Sequence, residues 1–146
     1  MSGDIAATEA QLADDVEWDL MPYNKILKGK EEIVTWLQAG GASQKEPVYI
    51  SNWTTEEWGV SELWNIGTFT EDTVEYGKQL GWPFPGDSDS FVGRTYKVAQ
   101  CYVVHVNVEG KIDLMREYLD GGSVWASAMT EDELDSIAFL KNYKRV

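Results

Sequence analysis

The 146-residue chain has a single cysteine, Cys101, and a single histidine, His105. One cysteine excludes an intrachain disulfide and a thiolate metal cluster. A zinc site needs several ligands, and a Ser-His-Asp triad or a Cys-His pair would have to use His105. The sequence also has no glycine-rich phosphate loop. We therefore predict a protein with no bound metal and no cofactor.

Basic residues are scarce, with 12 Lys and Arg against 25 Asp and Glu and a formal net charge of -13. This acidity argues against nucleic acid and anionic membranes as partners, because both are bound by basic patches. The chain has no apolar run long enough for a transmembrane helix, and its start does not resemble a secretory signal. We expect a cytoplasmic protein with one domain, residues 1–146.

Two hydrophobic periods divide the chain. Residues 4–13 favour a helix by propensity, with Asp4 as its candidate cap. Residues 14–20 are typical of a turn into a strand that Met21-Pro22 ends. Residues 29–37 predict an amphipathic helix that Gly40-Gly41 ends. Its buried stripe comprises Ile33, Trp36 and Leu37.

From Val48 the period becomes two, which predicts strands. The longest would place Trp58, Val60, Glu62, Trp64 and Ile66 on one face, with Ser61, Leu63 and Asn65 on the other. The alternative is that Glu62 lies at a sheet edge or that the register is shifted by one residue. Residues 77–93 predict a long loop that presents Trp82 and Phe84. Such a loop is often a lid or a binding loop, and a plain connector is the alternative.

Two further strands and a helix complete the pattern. In residues 96–108, Tyr102, Val104 and Val106 alternate with Cys101, Val103 and His105, and Glu109-Gly110 predicts a tight hairpin turn. Thr130 begins a capping box that predicts a C-terminal helix, Thr130–Tyr143. Helices, then a meander of strands, then a helix predict an α+β fold with helices packed on one curved sheet, mixed or antiparallel.

Glu117 is the most informative residue of the last strand. Alternation places Met115, Glu117 and Leu119 on one face, so the carboxylate lies between two apolar neighbours. A carboxylate in such a position is costly unless it is hydrogen-bonded, paired, or kept protonated for use. Glu117 is therefore the first candidate for an acid–base role.

Four stretches carry a resemblance to a known family: Leu12–Trp18, Leu27–Ile33, Gly93–Val98 and Val108–Asp120. In this order and spacing they resemble the SnoaL-like branch of the nuclear transport factor 2-like superfamily, over roughly residues 10–122. The resemblance implies a cone formed by a bent sheet around N-terminal helices, with an apolar pocket inside. It also implies a catalytic acid seven residues after the hairpin glycine, which is Glu117 here. The fold hosts enzymes and binding modules alike, so it does not specify a reaction.

This chain also departs from the family. Limonene-epoxide-hydrolase-like enzymes place an Arg and an Asp where Glu62 and Trp64 stand. Ketosteroid isomerases have a general base where Leu20 stands, although Tyr102 matches one of their oxyanion donors. The known machinery of neither branch is complete in this sequence.

We predict that Glu117 and Glu62 face one apolar pocket. Two adjacent carboxyl groups in such a setting raise at least one pKa, which suits general acid–base catalysis. Tyr102 would donate a hydrogen bond to a developing oxyanion, and Asp19 is a weaker catalytic candidate. His105 should point away from the pocket. The residues predicted to contact the substrate are Trp18, Trp58, Trp64, Met115, Leu119, Trp82 and Phe84.

Three functions remain open. The first is a SnoaL-like enzyme that cyclises or isomerises a small hydrophobic molecule of polyketide or terpenoid type. The second is an epoxide hydrolase or epoxide-opening cyclase, and the third is a non-catalytic module that binds a small ligand. The family resemblance also implies a homodimer through the outer sheet face, which would comprise Val103, His105, Leu114, Arg116 and Tyr118. The C-terminal helix is expected to cover the open end of the cone.

Overall fold

The computed structural model describes residues 5–41, 47–140 and 143. The helices are α1 (Ile5–Glu9), α2 (Lys30–Gly41), α3 (Glu71–Leu80), α4 (Gly121–Ala128) and α5 (Glu131–Ser136), and single 3₁₀ turns occur at Met21–Tyr23 and Ser88–Phe91. The strands are β1 (Leu12–Leu20), β2 (Lys25–Lys28), β3 (Val48–Thr54), β4 (Trp58–Thr68), β5 (Thr95–Val106) and β6 (Ile112–Leu119).

The six strands form one sheet in the order β2-β1-β6-β5-β4-β3. All neighbouring pairs are antiparallel except β1 and β6, which pair in parallel. The predicted α+β class with a mixed sheet is confirmed. Among the described helices, none combines the length and the apolar character needed to cross a membrane.

Side chains on the inner face of the sheet form two adjoining apolar clusters. One cluster centres on β1 and α2 and contains Trp18, Leu20, Ile33, Trp36 and Met115. The other centres on the turn before α3 and on α4, and it contains Phe69, Phe91, Tyr96, Trp125 and Leu140. The predicted buried stripe of α2 is confirmed, because Ile33 is fully buried, Trp36 is nearly so and Leu37 packs partly against the first cluster.

The predicted helix over residues 4–13 is wrong beyond Glu9, and Asp4 lies outside the described residues. Strand β1 begins at Leu12, where the exposed fraction is only 1%, and Val16 is fully buried. Pairing with β6 and burial of these side chains outweigh the local helix propensity.

Two helices were not expected. Helix α3 includes the first residues of the predicted 77–93 loop, and Thr70 caps it by accepting a hydrogen bond from the Thr73 amide. Helix α4 begins with Gly121 and Gly122, whose low helix propensity conceals it, and the Asp120 carboxylate accepts a hydrogen bond from the Gly122 amide as its cap.

The C-terminal capping box is confirmed at Thr130 and Glu133, but helix α5 ends at Ser136 and does not reach Tyr143. Arg94 donates two hydrogen bonds to the Glu133 carboxylate, at 2.7 and 2.8 Å, and so ties α5 to the start of β5. Leu134 and Leu140 are 6% and 0% exposed and belong to the second apolar cluster. The segment after residue 130 therefore contributes to the core.

We predict that Leu140→Ala lowers the free energy of unfolding by about 2–5 kcal/mol, because it leaves a cavity in a packed cluster. Phe139→Ala is the matched control. The Phe139 side chain, next to Leu140 in the sequence, is 61% exposed, so its removal should change stability little. Urea unfolding of both variants is the measurement. Equal stability losses would show that the contribution of this segment does not come from core packing.

Candidate active site

Strand register defines which residues share the inner face of the sheet. Glu117 pairs with Tyr102 across β5 and β6, and with Leu20 across the parallel pair of β1 and β6. Directly paired residues point to the same side of a sheet, so these three side chains lie together on the inner face. The prediction that Glu117 points inward is confirmed: its residue is 6% exposed.

Burial dominates the electrostatics of Glu117. Desolvation raises the pKa of its carboxyl group to about 7, and the single hydrogen bond that Gln100 donates opposes this rise. Gln100 Nε2 lies 2.7 Å from Glu117 Oε1, and both residues are buried. A carboxyl group with a pKa near neutral can both take and return a proton under physiological conditions.

Two tyrosines, Tyr23 and Tyr102, lie close enough to Glu117 to be affected by its charge. Burial raises the pKa of Tyr23 and of Tyr102, and the nearby charge of Glu117 raises both further. Tyr96 acts on both residues electrostatically and so lies in the same group. The phenols of Tyr23 and Tyr102 therefore stay protonated at neutral pH, and a protonated phenol can donate a hydrogen bond.

Gln100 and Tyr23 were missed in the sequence. Gln100 precedes Tyr102 by two residues on the same strand, so alternation alone places it on the inner face beside Tyr102. The signal was therefore present for Gln100. Tyr23 lies in the 3₁₀ turn after β1, where no periodicity indicates the direction of a side chain.

A wall of aromatic rings closes the interior on the side of Tyr23. Trp82 stacks on Tyr23 with ring centres 5.6 Å apart, and Trp36 contacts Trp82 at 6.5 Å. Trp18 contacts Tyr102 at 6.2 Å. Gly77 permits the close approach of Trp82, because a Cβ atom at this position would lie 2.5 Å from the indole.

The side chains of Trp82 and Phe84 therefore pack against other aromatic rings and do not form an open lid. Phe84 packs on Trp125 with a ring-centre distance of 5.0 Å, and Trp82 lies between Tyr23 and Phe84. Leu119 packs partly against the same second cluster. Trp82 packs against both apolar clusters and so joins them.

A cavity of about 160 Å³ lies on the inner face beside Tyr102. Its walls include Leu12, Leu63, Val104 and Met115. Glu117 and Gln100 do not line it, but each is the cross-strand neighbour of a lining residue: Tyr102 pairs with Glu117, and Leu63 pairs with Gln100. A cavity of similar size in another protein holds benzene, which sets the scale of a ligand here.

The face predicted for β4 is wrong. Glu62 pairs with Cys101 and accepts a hydrogen bond from Ser51 Oγ at 2.6 Å, so it lies on the face opposite to Glu117. The inner face of β4 carries Leu63 and Asn65, with exposures of 3% and 8%. Equal alternation of apolar side chains on both faces left the sequence pattern ambiguous, and burial by the helices decides between them.

Three other predicted site residues lie on the outer face with Glu62. Trp64 packs on the Lys97 ammonium at 4.2 Å, and Trp58 packs on His105 at 4.7 Å. Asp19 pairs with Arg116, whose side chain is exposed. The structure thus brings together Glu117, Tyr102, Trp18 and Met115, and it separates them from the outer-face residues.

His105 is on the outer face, as predicted. Its Nδ1 lies 2.6 Å from Asp113 Oδ1, and both residues line a shallow surface cavity of about 420 Å³ with Trp58. Within the described ranges, no group of three or more His, Cys, Asp or Glu side chains is arranged to hold a metal ion.

Comparisons with known proteins bear on this geometry. No protein-family model matches the chain, and no curated protein does. Among solved structures, a hypothetical protein with a ketosteroid isomerase-like fold from Catenulispora acidiphila, in complex with trimethylamine, is 15% identical. The match covers 86% of this chain and 82% of that chain with a TM-score of 0.61.

Two further structures are similar to the same extent. An LEH-like epoxide hydrolase from M. tuberculosis is 16% identical over 86% of this chain and 77% of that chain, with a TM-score of 0.60. A nuclear transport factor 2-like protein from Burkholderia thailandensis is 17% identical over 87% of this chain and 86% of that chain, also with a TM-score of 0.60. The chain therefore has the nuclear transport factor 2-like fold, as its sequence predicted.

We predict that Glu117→Gln reverses a loss of stability at high pH. The folded-state pKa is about 7 against an ordinary 4.5, so the folded state holds more protons between these values and the wild type loses stability as pH rises through this window. The free energy of unfolding of the variant, relative to that of the wild type, should therefore increase by about 3 kcal/mol from pH 4.5 to pH 8. Urea unfolding at both pH values measures this gain.

Glu62→Gln is the matched control, since it removes one carboxylate from the opposite face of the same sheet. A pH-dependent gain of equal size in both variants would show that overall charge, and not desolvation of Glu117, is responsible.

Proposed function

We propose that the protein is a cofactor-independent, SnoaL-like enzyme that isomerises or cyclises a small hydrophobic carbonyl compound, with Glu117 as its general acid–base. The observation that carries this proposal is the buried Glu117 carboxyl group, whose pKa is raised to about 7 by desolvation. Burying a carboxyl group costs stability, and perturbed carboxyl groups of this kind are concentrated at functional sites.

The number of buried acids favours a proton shuttle. In the described part of the chain, Glu117 is the only buried acidic residue. A single carboxylate can remove a proton from the carbon next to a carbonyl group and return it to another carbon. Such a 1,3-proton shift conserves all atoms and needs no second carboxylate.

The tyrosines suit the other half of this chemistry. Removal of the proton leaves an enolate, whose negative charge develops on the carbonyl oxygen. Tyr102 lines the cavity and is the cross-strand neighbour of Glu117, and these two observations support our assignment of its hydroxyl as the donor to that oxygen. A donor of this kind lowers the barrier most when water is excluded.

The cavity limits the substrate. At about 160 Å³ it suits a molecule with a single six-membered ring. A polyketide- or terpenoid-like substrate of greater size would need the cavity to widen, and any substrate must displace lining side chains to reach Glu117, which does not line the cavity.

Epoxide opening is the second candidate, because one structure with the same fold is an LEH-like epoxide hydrolase. Here Glu117 would activate water and Tyr102 would protonate the epoxide oxygen. Incorporation of solvent oxygen distinguishes this reaction from isomerisation. Binding without turnover is the third candidate, and the trimethylamine complex of a structural neighbour shows that a protein with this fold holds a small ligand.

The test uses probes of cavity size. 3-Cyclohexen-1-one should be converted to its conjugated isomer, which is followed by ultraviolet absorbance, and cyclohexene oxide in heavy-oxygen water reports epoxide opening. We predict that Glu117→Gln lowers kcat/KM by about 10²–10⁴, whereas Glu62→Gln leaves it unchanged. Because the ionised carboxylate is the base, kcat/KM should rise with pH to a plateau above an apparent pKa of about 7.

An unchanged rate in Glu117→Gln would refute the assigned role. Labelled oxygen in the product of the epoxide, with no isomerisation of the ketone, would favour the second candidate. Binding of both probes without conversion would favour a ligand-binding module.

The homodimer remains a proposal that the outer face supports. Tyr118 is 40% exposed and Trp58 is 40% exposed on this face, and exposed aromatic side chains are enriched in protein interfaces. We expect light scattering to give twice the monomer mass, and Arg116→Glu to weaken the dimer by placing like charges in the contact. A monomeric wild type would refute this proposal.

A further inference from the structure

Three buried polar atoms on the inner side of the sheet have no hydrogen-bonding partner among the described residues: Gln100 Oε1, Trp18 Nε1 and Trp82 Nε1. Gln100 and Trp18 are 4% and 1% exposed. An unsatisfied buried polar atom is expensive, and native proteins keep few of them. Gln100 Oε1 and Trp18 Nε1, which belong to almost fully buried residues on the same face of the sheet as Glu117, therefore need an explanation.

The orientation of the Gln100 amide follows from its contact with Glu117. An ionised carboxylate has acceptors only, so it must receive the hydrogen bond from the amide nitrogen. This contact, at 2.7 Å, uses Nε2 and leaves Oε1 as an acceptor without a donor. A group that fits Oε1 must carry an O–H or N–H.

Trp18 presents the complementary requirement. Its indole N–H is a donor without an acceptor, and its ring lies against Tyr102 at 6.2 Å. Trp18 on β1 pairs with Met115 on β6, and Met115 lines the cavity. A ligand that satisfies both residues carries one hydrogen-bond donor and one acceptor.

Neither Gln100 nor Trp18 lines the cavity, but strand neighbours of both residues do. Leu63 pairs directly with Gln100, and Tyr102 follows Gln100 on the same face; both side chains line the cavity. A ligand in the cavity is thus separated from Gln100 by these side chains, and it reaches Gln100 only if the Leu63 side chain moves aside when the ligand binds.

We propose that Gln100 determines substrate specificity: Nε2 holds the Glu117 carboxylate while Oε1 accepts a hydrogen bond from a hydroxyl group of the substrate, whose second oxygen accepts one from Trp18 Nε1. The preferred substrate class is therefore a small hydroxy-carbonyl compound, which should bind more tightly than a plain ketone or hydrocarbon of the same size. This inference rests on the proposed function, because it assigns the ligand of the same interior.

The test is a binding series with four molecules of nearly equal size: 4-hydroxycyclohexanone, cyclohexanone, cyclohexanol and methylcyclohexane. Dissociation constants come from NMR titration, which also follows the Trp18 indole and Gln100 amide signals. The hydroxy-ketone should bind at least tenfold more tightly than cyclohexanone, because the ketone leaves Oε1 unsatisfied. Both signals should shift only with probes that carry the matching group.

Two variants assign the effect. Gln100→Met keeps the length of the side chain and should abolish the advantage of the hydroxy-ketone over cyclohexanone. It should also raise the apparent pKa of kcat/KM, because Glu117 loses its hydrogen bond. Trp18→Phe should abolish the advantage of the hydroxy-ketone over cyclohexanol. Glu62→Gln, on the outer face, should leave all four affinities unchanged.

Equal affinities for all four probes in the wild type, as expected if only buried water satisfies these atoms, would overturn the inference, and so would no binding of any probe. The wild-type series needs no variant and stands even if Gln100→Met fails to fold. Selective binding without any turnover would leave the inference intact and refute the proposed function. Turnover that depends on Glu117 without selectivity for the hydroxyl group would do the opposite.

Discussion

Desolvation of one carboxyl group is the constraint on which the interior depends. Glu117 is held on the inner face because β6 pairs with β5 on one side and with β1 on the other, and a shift of the register by one residue would move it to the solvent face. The sheet supplies the energy for this placement through Met115, Trp18 and Leu20, which are all nearly inaccessible to solvent. The cost of burying the acid is thus offset by the same strands that carry it.

The polar groups around Glu117 divide into those that the acid uses and those that it leaves open. Gln100 donates a direct hydrogen bond to the carboxylate, and Tyr102, the cross-strand neighbour of the acid, lines the cavity. Tyr23 and Tyr102 keep their protons because burial and the nearby charge of Glu117 both raise their pKa values. A site of this kind has one group that titrates near neutral pH and several that do not, which suits a reaction in which a single proton moves.

How far the sequence predicts this arrangement differs between strands. On β6 only one face contains a buried acid among apolar residues, so Glu117 could be identified from alternation, and the family resemblance led to the same residue. On β4 both faces alternate apolar and polar side chains, and only packing by the helices shows that Leu63 and Asn65 point inward. The aromatic wall was beyond prediction, since Tyr23 and Trp82 lie in turns where side-chain direction depends on tertiary contacts.

The parallel pairing of β1 with β6 also has a consequence for how the chain reaches its native state. Leu20 meets Glu117 only after nearly all of the sequence between them is in place, so this contact closes one of the longest loops in the molecule. Such distant contacts slow folding. During synthesis, the hairpin of β1 and β2 leaves the ribosome long before its partner strand exists, and until then only α2, whose Trp36 contacts Trp18, is available to cover its inner face. Assembly of the acid's surroundings is therefore a late event, and chaperones have their best opportunity to act on this chain before β6 arrives.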